Sequence, residues 1–284
     1  KKLKKSLSSL YLLYLSRLGI WCRLDIGGEP VNPEMILNIS AKAGRLLLES
    51  GAEIYRVEET ISRIMEHYQV EEASSFVTPS GIFVSFVLDG SNYSKVVRVK
   101  GSSLNLERIN RINDLSRRCC SQHLSIEAVG HELAQIEKEP LYAMPLRYLA
   151  SAMIAFCFTL YFNGTLKDAL CAFAVGLAVR TAANFLECKK INAFVTITIE
   201  SSIIALLALI FEAIPLCVSK DAVIIGSLML LVPGLSITNA IRDSISGDLL
   251  SGVTRGIEAC LIAVALALGA GITITFWMNV GGLL

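Results

Sequence analysis

The half of the chain after residue 145 is a series of long apolar runs separated by short polar loops, and this feature most restricts the fold. Most of the charged residues and all three His lie before residue 141. Only 18% of the whole chain is charged and its mean hydropathy is +0.56, whereas a soluble domain carries about 25% charged residues. About 20 apolar residues suffice for a helix to cross a bilayer. The second half is therefore predicted to be an all-α bundle of membrane-spanning helices.

Runs of this length define five predicted spans. They lie at 146–162, 168–187, 193–213, 221–240 and 256–279, within a transmembrane domain that we place at 141–284. Lys and Arg are in excess in alternate loops, at Arg147, Lys189, Lys190, Arg242 and Arg255. Because loops of this kind face the cytoplasm, the sequence predicts a cytoplasmic amino-terminal domain and a carboxyl terminus outside.

Residues 33–140 have the patterns of a compact α/β domain of about 100 residues. Helical periodicity predicts helices from Asn32-Pro33 to Ser50-Gly51, from Ile54 to Tyr68, and at 104–120 and 126–137. Val, Ile and Phe are frequent at 75–78, 82–88 and 94–100, which indicates three strands, and Asp89-Gly90 is typical of a hairpin turn. Residues 1–32 form an amino-terminal extension without an assigned function. Its basic start and short apolar stretch are compatible with a signal peptide, an upstream extension or a short interfacial helix.

The fourth predicted span contains a helix-breaking pair, Pro233-Gly234, followed by polar side chains. These are Ser236, Thr238, Asn239, Arg242 and Asp243. Proline removes a backbone donor, so the span is expected to kink or unwind there. Transporters use broken helices to bind solutes, because freed backbone groups and the half-helix dipole can hold a carboxylate. The alternative is that Pro and Gly are common in membrane helices and only shape packing.

Two ionisable side chains lie inside predicted spans. Glu200 is in the third span, and Arg180 is in the second, one turn before Asn184. A charge at this depth is expensive, so each is a candidate for the solute pathway or for a proton site. A purely structural ion pair between Arg180 and Glu200, or a misplaced span boundary, would also explain them.

The sequence lacks the patterns of several other kinds of protein. Glu53 and Glu58 belong to a charged helix face, and no phosphate-binding Gly-rich loop, nucleophile elbow or acidic metal cluster accompanies them. The eight Cys show no CxxC spacing, and the net charge of +1 gives no basic surface for nucleic acid. We therefore predict no enzyme site, no cofactor, no metal and no nucleic-acid partner.

Three segments of the sequence resemble the threonine/serine exporter family. They are AGRLLLESGAEIYRVEETISRI (43–64), FVTPSGIFVSF (76–86) and LLVPGLSITNAIRDSISGDLLSGVTRG (230–256). The resemblance extends over nearly all of residues 33–280 and is to the half-length form, which has a cytoplasmic domain and five spans. The motif positions that match are Gly51, Ala52, Glu53, Arg56, Glu58, Pro233, Gly234, Asn239 and Asp243.

This resemblance implies a subunit of a secondary exporter in the bacterial cytoplasmic membrane. Half-length members are similar to the larger subunit of two-component exporters, some of which export succinate rather than amino acids. The implied partners are a carboxylate-bearing solute, the lipid bilayer and a second, small membrane subunit of the same family, and assembly with copies of itself stays open. A membrane-anchored hydrolase and a sensor without transport activity are the alternative functions.

Overall fold

The chain divides into two compact units. The computed structural model describes residues 32–101, 103–139, 142–189 and 191–281. The first unit contains the described residues from 32 to 139 together with Ile241–Val253. The second contains the described residues from 142 to 240 and from 254 to 281. The predicted extension at 1–32 lies outside the described residues except for Asn32.

The first unit contains four helices and a three-stranded sheet among its described residues. The elements are α1 (Pro33–Glu49), α2 (Ile54–His67), β1 (Glu71–Thr78), β2 (Gly81–Leu88), β3 (Ser91–Arg98), α3 (Leu106–Gln122) and α4 (Ile126–Lys138). The predicted order of helices and strands is confirmed. Asn32 caps α1 by accepting a hydrogen bond from the Glu34 amide, and Pro33 occupies the first turn, where its missing N–H is not needed.

The sheet is antiparallel with the order β1-β2-β3. Asp89 and Gly90 have φ values of 50° and 73°, as the two central residues of a tight hairpin turn require. Pairing therefore resumes at once, with Leu88 opposite Ser91. For this reason β3 begins at Ser91, before the predicted residue 94.

One face of the sheet forms the core of the first unit. Along β2, Ile82, Val84, Phe86 and Leu88 are buried, whereas Phe83 between them is exposed, which is the alternation of a half-buried strand. The buried side chains belong to one hydrophobic cluster with the inner faces of all four helices, and α1 packs on β2 and β3 while α2 packs on β1. The result is a helical layer on a small sheet.

The second unit is helical. Its elements are α5 (Met144–Tyr161), α6 (Leu166–Cys188), α7 (Ala193–Ala213), α8 (Lys220–Leu228), α9 (Gly234–Ile245) and α10 (Leu249–Gly281), although the ends of α9 and α10 that lie within 241–253 belong to the first unit. In the described part of the chain, four helices are long and apolar enough to cross a membrane, namely α5, α6, α7 and α10. They correspond to the first, second, third and fifth predicted spans.

The fourth predicted span, 221–240, is not a continuous helix. The helices α8 and α9 have 9 and 12 residues, so α8 extends only about 14 Å of the roughly 30 Å of a hydrocarbon core. Between them, residues 229–233 leave the α-helical pattern, and the amides of Leu230 and Leu231 bond to carbonyls three residues back. Two short helices thus occupy the range predicted as the fourth span, and the break that Pro233 and Gly234 predict is confirmed, because α9 begins at Gly234.

Small and hydroxyl-bearing residues allow α7 and α10 to approach closely. The Ser201 hydroxyl donates to the Leu266 carbonyl at 2.7 Å, and the Ser202 hydroxyl donates to the Gly269 carbonyl at 3.1 Å. A methyl group at Gly269 would lie 2.2 Å from the Thr198 carbonyl oxygen. Packing of this kind replaces the hydrophobic effect, which does not hold helices together in lipid.

The two glycines of α10 near this contact provide a matched test of the packing. In Gly269→Ala the methyl group overlaps backbone atoms of α7, and such overpacking costs about 1–3 kcal/mol. In Gly271→Ala the methyl group meets no atom within 4 Å, and alanine favours a helix by about 1 kcal/mol. We expect Gly269→Ala to lower the unfolding temperature of the detergent-solubilised protein and Gly271→Ala not to lower it. Equal temperatures for the two variants would contradict this packing.

Candidate functional site

A buried carboxylate from residue 243 caps the amino terminus of α2. The preceding residue, Glu53, has extended backbone angles but makes no side-chain hydrogen bond to the helix. Instead, an Asp243 carboxylate oxygen accepts a hydrogen bond from the Ile54 amide at 3.3 Å, across 189 positions of sequence. Asp243 is fully buried. It therefore satisfies one of the orphan donors of α2 and lies at the positive end of the helix dipole.

An ion pair next to this cap joins the same two segments. Arg242 pairs with Glu53, which also pairs with Arg56 through an Oε2–Nε distance of 3.1 Å. The Glu53 side chain is 13% exposed, whereas the Arg242 side chain is 46% exposed, so solvent screens the pair from the Arg242 side. We call Glu53, Ile54, Arg242 and Asp243 the α2 cap cluster. The structure thus brings together residues of two sequence motifs.

The turn before the cluster explains two further motif residues. Gly51 has a φ of 81°, a left-handed conformation that glycine adopts without strain. Its amide bonds to the Leu48 carbonyl, and the Ala52 amide bonds to the Leu47 carbonyl, both at 3.1 Å, which terminates α1. Ala52 is buried in the core. These two residues therefore set the direction in which α2 begins.

Glu58 lies one turn into α2 and faces the interior. Its carboxylate accepts a hydrogen bond from the Val77 amide at 2.9 Å. Burial raises the pKa of Glu58 above its ordinary value of 4.5, the nearby Asp248 carboxylate raises this pKa further, and the hydrogen bond partly opposes both effects. Asp248 belongs to the segment that supplies Arg242 and Asp243. This segment therefore interacts with α2 at the Ile54 amide and at the Glu58 carboxylate.

The second unit contains a polar chain that starts at Arg180. The Arg180 Nη2 donates to the Asn184 Oδ1 at 2.7 Å, and the Asn184 amide donates to the Tyr148 hydroxyl at 3.0 Å. Glu187 lies 3.7 Å from Arg180 Nη2. The spacing of Arg180 and Asn184, one turn apart, is compatible with this contact, but no sequence signal identified Tyr148 on α5 or Glu187 near the end of α6.

Arg180 and Glu200 do not form the ion pair that the sequence suggested. Arg180 is engaged by Asn184 and Glu187, while its Nε is buried and has no hydrogen-bond partner. Glu200 is 5% exposed and takes part in no hydrogen bond or ion pair within the described chain. Adjacent spans contain both residues, but their rotation about the helix axes, which sequence spacing does not determine, keeps them apart.

The polar residues after the helix break are placed along α9. The Thr238 hydroxyl donates to the Gly234 carbonyl at 2.9 Å, so it is satisfied within the helix. Ser236 and Asn239 are half-buried. No hydrogen bond joins these residues to Arg180, Asn184 or Glu200 in the part of the chain that the structure describes. That part also has no group of three His, Cys, Asp or Glu that could hold a metal ion.

Comparison with known proteins gives one family for nearly the whole chain. The model of the family described as "Putative threonine/serine exporter" matches residues 38–277. This range contains the α2 cap cluster, Arg180, Glu200 and the break at Pro233. No solved structure gives a significant match.

Three relatives have names that indicate transport. A probable succinate transporter subunit of Escherichia coli (strain K12) is 22% identical over 251 residues, which cover 85% of this chain and 94% of the relative. The protein of the same name from Klebsiella aerogenes is 25% identical over 248 residues, with coverage of 81% and 90%. A threonine/serine exporter of Corynebacterium glutamicum is 22% identical over 250 residues, which cover 84% of this chain but 50% of that protein.

Removal of the Asp243 carboxylate should loosen the first turn of α2. Loss of a cap costs about 1 kcal/mol, which corresponds to roughly fivefold more frequent local opening. In the full-length protein, we expect Asp243→Ala to speed hydrogen exchange in peptides that contain Ile54–Val57. Ser246→Ala alters an exposed residue of the same segment and serves as the control. Equal protection of these peptides in both variants would argue against capping by Asp243.

Glu58 should make the stability of the protein depend on pH in a defined direction. Because its folded-state pKa is raised, the group stabilises the folded state most below pH 4.5, and this contribution is lost as pH rises through the folded pKa. Glu58→Gln abolishes the titration. We therefore expect the unfolding temperature of the variant, relative to wild type, to increase between acidic and neutral pH. Glu59→Gln removes an exposed carboxylate that pairs with Arg63 and should not show this trend.

Proposed function

Since the chain belongs to the threonine/serine exporter family, we propose that it is a subunit of a secondary transporter that exports small carboxylate-bearing solutes across the bacterial cytoplasmic membrane. The solute is an amino acid of the threonine/serine type or a dicarboxylate such as succinate, as the names of the relatives suggest. A carboxylate is the chemical group that these solutes share. The family match favours transport over the alternatives of a hydrolase or a sensor.

The observation that carries this proposal is the position of Arg180 within the second half of α6, a helix that is predominantly apolar. The side chain is 17% exposed, and α6 is one of the helices long and apolar enough to cross a membrane. A guanidinium group inside such a bundle is expensive unless protein or solute compensates its charge. Its partners are the neutral Asn184 and the more distant Glu187, at 2.7 and 3.7 Å. Arg180 therefore retains capacity for an anionic ligand.

The geometry of a guanidinium suits a carboxylate. Arginine has five N–H donors in a planar fork, which can bind both oxygens of a carboxylate at once. Asn184 holds one side of the fork and is itself held by Tyr148. We assign the solute carboxylate to Arg180, with Asn184 and Tyr148 as the residues that orient the guanidinium.

The break between α8 and α9 is assigned to the same pathway. Backbone groups freed at membrane depth must be satisfied by protein, water or ligand. Pro233 and Gly234 mark this break, and the first turn of α9 directs its backbone amides along the axis of a helix whose amino end attracts anions. Ser236 and Asn239 are the half-buried polar side chains on this helix. We assign Ser236 and Asn239 to the path along which the solute moves, and not to the site that binds it most tightly.

The proposed topology has five crossings, with α8 and α9 together forming a broken fourth crossing. The first unit faces the cytoplasm and the carboxyl terminus lies outside, in accordance with the excess of Lys and Arg in alternate loops. A second, small membrane subunit completes the transporter. The description of two relatives as transporter subunits supports this partner.

Substitution of Arg180 tests the solute site. A hydrogen bond to a charged group contributes about 1.5–3 kcal/mol, so Arg180→Gln should reduce efflux at least about tenfold at normal expression. Arg180→Lys should also reduce it, because an ammonium lacks the planar fork. Lys167→Gln removes an exposed cation from the same helix and should leave efflux unchanged. Wild-type efflux from the Arg180→Gln variant would refute the assignment.

The solute itself can be identified in the native strain. Intracellular and extracellular metabolites are compared between the wild type and a strain that lacks this chain, after feeding dipeptides and after anaerobic growth. Intracellular accumulation of threonine or serine indicates amino-acid export, and accumulation of succinate indicates dicarboxylate export. Unchanged levels of all three would contradict the proposed solute class.

A further inference from the structure

We propose that Glu200 binds the proton whose inward movement drives export of the solute. This inference rests on the proposed transport function, to which it adds the residue that binds the driving proton. The evidence is the position of the carboxyl group, the state of the polar groups next to it and the charges on the helices packed around it.

Glu200 is enclosed by protein within a helix suited to cross the membrane. It lies on α7, is 5% exposed and has no hydrogen bond or ion pair in the described residues. An ionised carboxylate in such a position is expensive, whereas a protonated carboxyl group is neutral. Uptake and release of a proton therefore change the electrostatic free energy of this carboxyl group more than that of a carboxylate with a cationic partner.

The nearest hydroxyl groups in the sequence do not compensate a charge on Glu200. The Ser201 hydroxyl donates to the Leu266 carbonyl at 2.7 Å. The Ser202 hydroxyl donates to the Thr198 and Gly269 carbonyls at 2.9 and 3.1 Å. Both hydroxyl hydrogens are therefore directed to backbone carbonyls, and neither is donated to the Glu200 carboxylate.

Helices packed against α7 contribute few charges that act on Glu200. On α6, the Glu187 carboxylate repels a negative charge on Glu200, and Arg180 makes no contact with it. On α8, Lys220 pairs with Glu212 at 2.8 Å and Asp221 lies in the first turn. On α10, Arg255 and Glu258 lie near the start of the helix. No ion pair joins any of these groups to Glu200 in the described chain.

These observations assign different roles to Arg180 and Glu200. Arg180 retains a cation for the solute carboxylate, and Glu200 exchanges a proton without a fixed partner. In the proposed cycle, Glu200 takes a proton from the outer side and releases it to the cytoplasm, while the solute moves outward. No bond other than the O–H bond of the carboxyl group forms or breaks.

The test uses inside-out membrane vesicles from the native strain, with radiolabelled threonine and succinate as probes. For one-to-one exchange, a pH difference of one unit supports about a tenfold solute gradient, because one pH unit is a factor of ten. Wild-type vesicles with an acidic interior should accumulate a probe to about this extent. Vesicles with Glu200→Gln should reach equal concentrations on both sides but still exchange labelled for unlabelled solute. Glu212→Gln, on the same helix and exposed, should accumulate the probe as wild type does.

A second measurement follows the proton directly in the purified full-length protein. Infrared difference spectra are recorded while pH is lowered, and the carbonyl band of a protonated carboxylic acid is monitored. We expect a band that is present in wild type and in Glu212→Gln and absent in Glu200→Gln. Accumulation of a probe by Glu200→Gln vesicles, or an unchanged band in this variant, would overturn the proposal.

The two measurements distinguish this inference from the proposed function. If wild-type vesicles neither exchange nor accumulate either probe, the proposed solute class fails. The infrared spectra then decide the proton site alone, because they require neither solute nor partner subunit. Loss of the band in Glu200→Gln would retain Glu200 as a proton-binding group, and its persistence would reject it.

Discussion

The shortage of water inside an apolar bundle is the constraint from which the arrangement of the second unit follows. Each polar group there must find a partner in the protein or keep a capacity that a ligand uses. Hydroxyls on α7 satisfy carbonyls of α10, and Thr238 satisfies a carbonyl of its own helix. The Ser227 hydroxyl is an exception, and among the ionisable groups Arg180 and Glu200 depart from this rule. Their incomplete pairing is the physical reason to assign them to solute and proton.

The sequence predicted the elements of the fold better than the contacts between them. Local signals were sufficient for α1, with its Asn32 cap, and for the hairpin at Asp89-Gly90, because both depend on neighbouring residues. Helical spacing placed Arg180 one turn before Asn184, and the two side chains are in contact. The break at Pro233 was equally visible, although its effect was larger than a kink, since it divided a predicted span into two short helices.

Contacts that join distant segments were beyond prediction from the sequence. Arg180 and Glu200 lie in neighbouring spans, but whether two side chains meet depends on the rotation of each helix, which small residues such as Gly269 determine through close packing. Capping of α2 by Asp243 is a second example. In a sequence, the cap of a helix is expected at the residue before its first turn. For α2 this residue is Glu53, whose side chain pairs with Arg242 instead.

The first unit is discontinuous, because residues 241–253 belong to it although they follow most of the membrane helices in the chain. A ribosome adds about 5–20 residues per second. Asp243 is therefore synthesised many seconds after the amino end of α2. In this interval, several apolar helices are made and inserted into the bilayer. The first unit can reach its final hydrogen bonding only after residue 243 has been synthesised, so completion of its fold reports that the helices before residue 241 have been made.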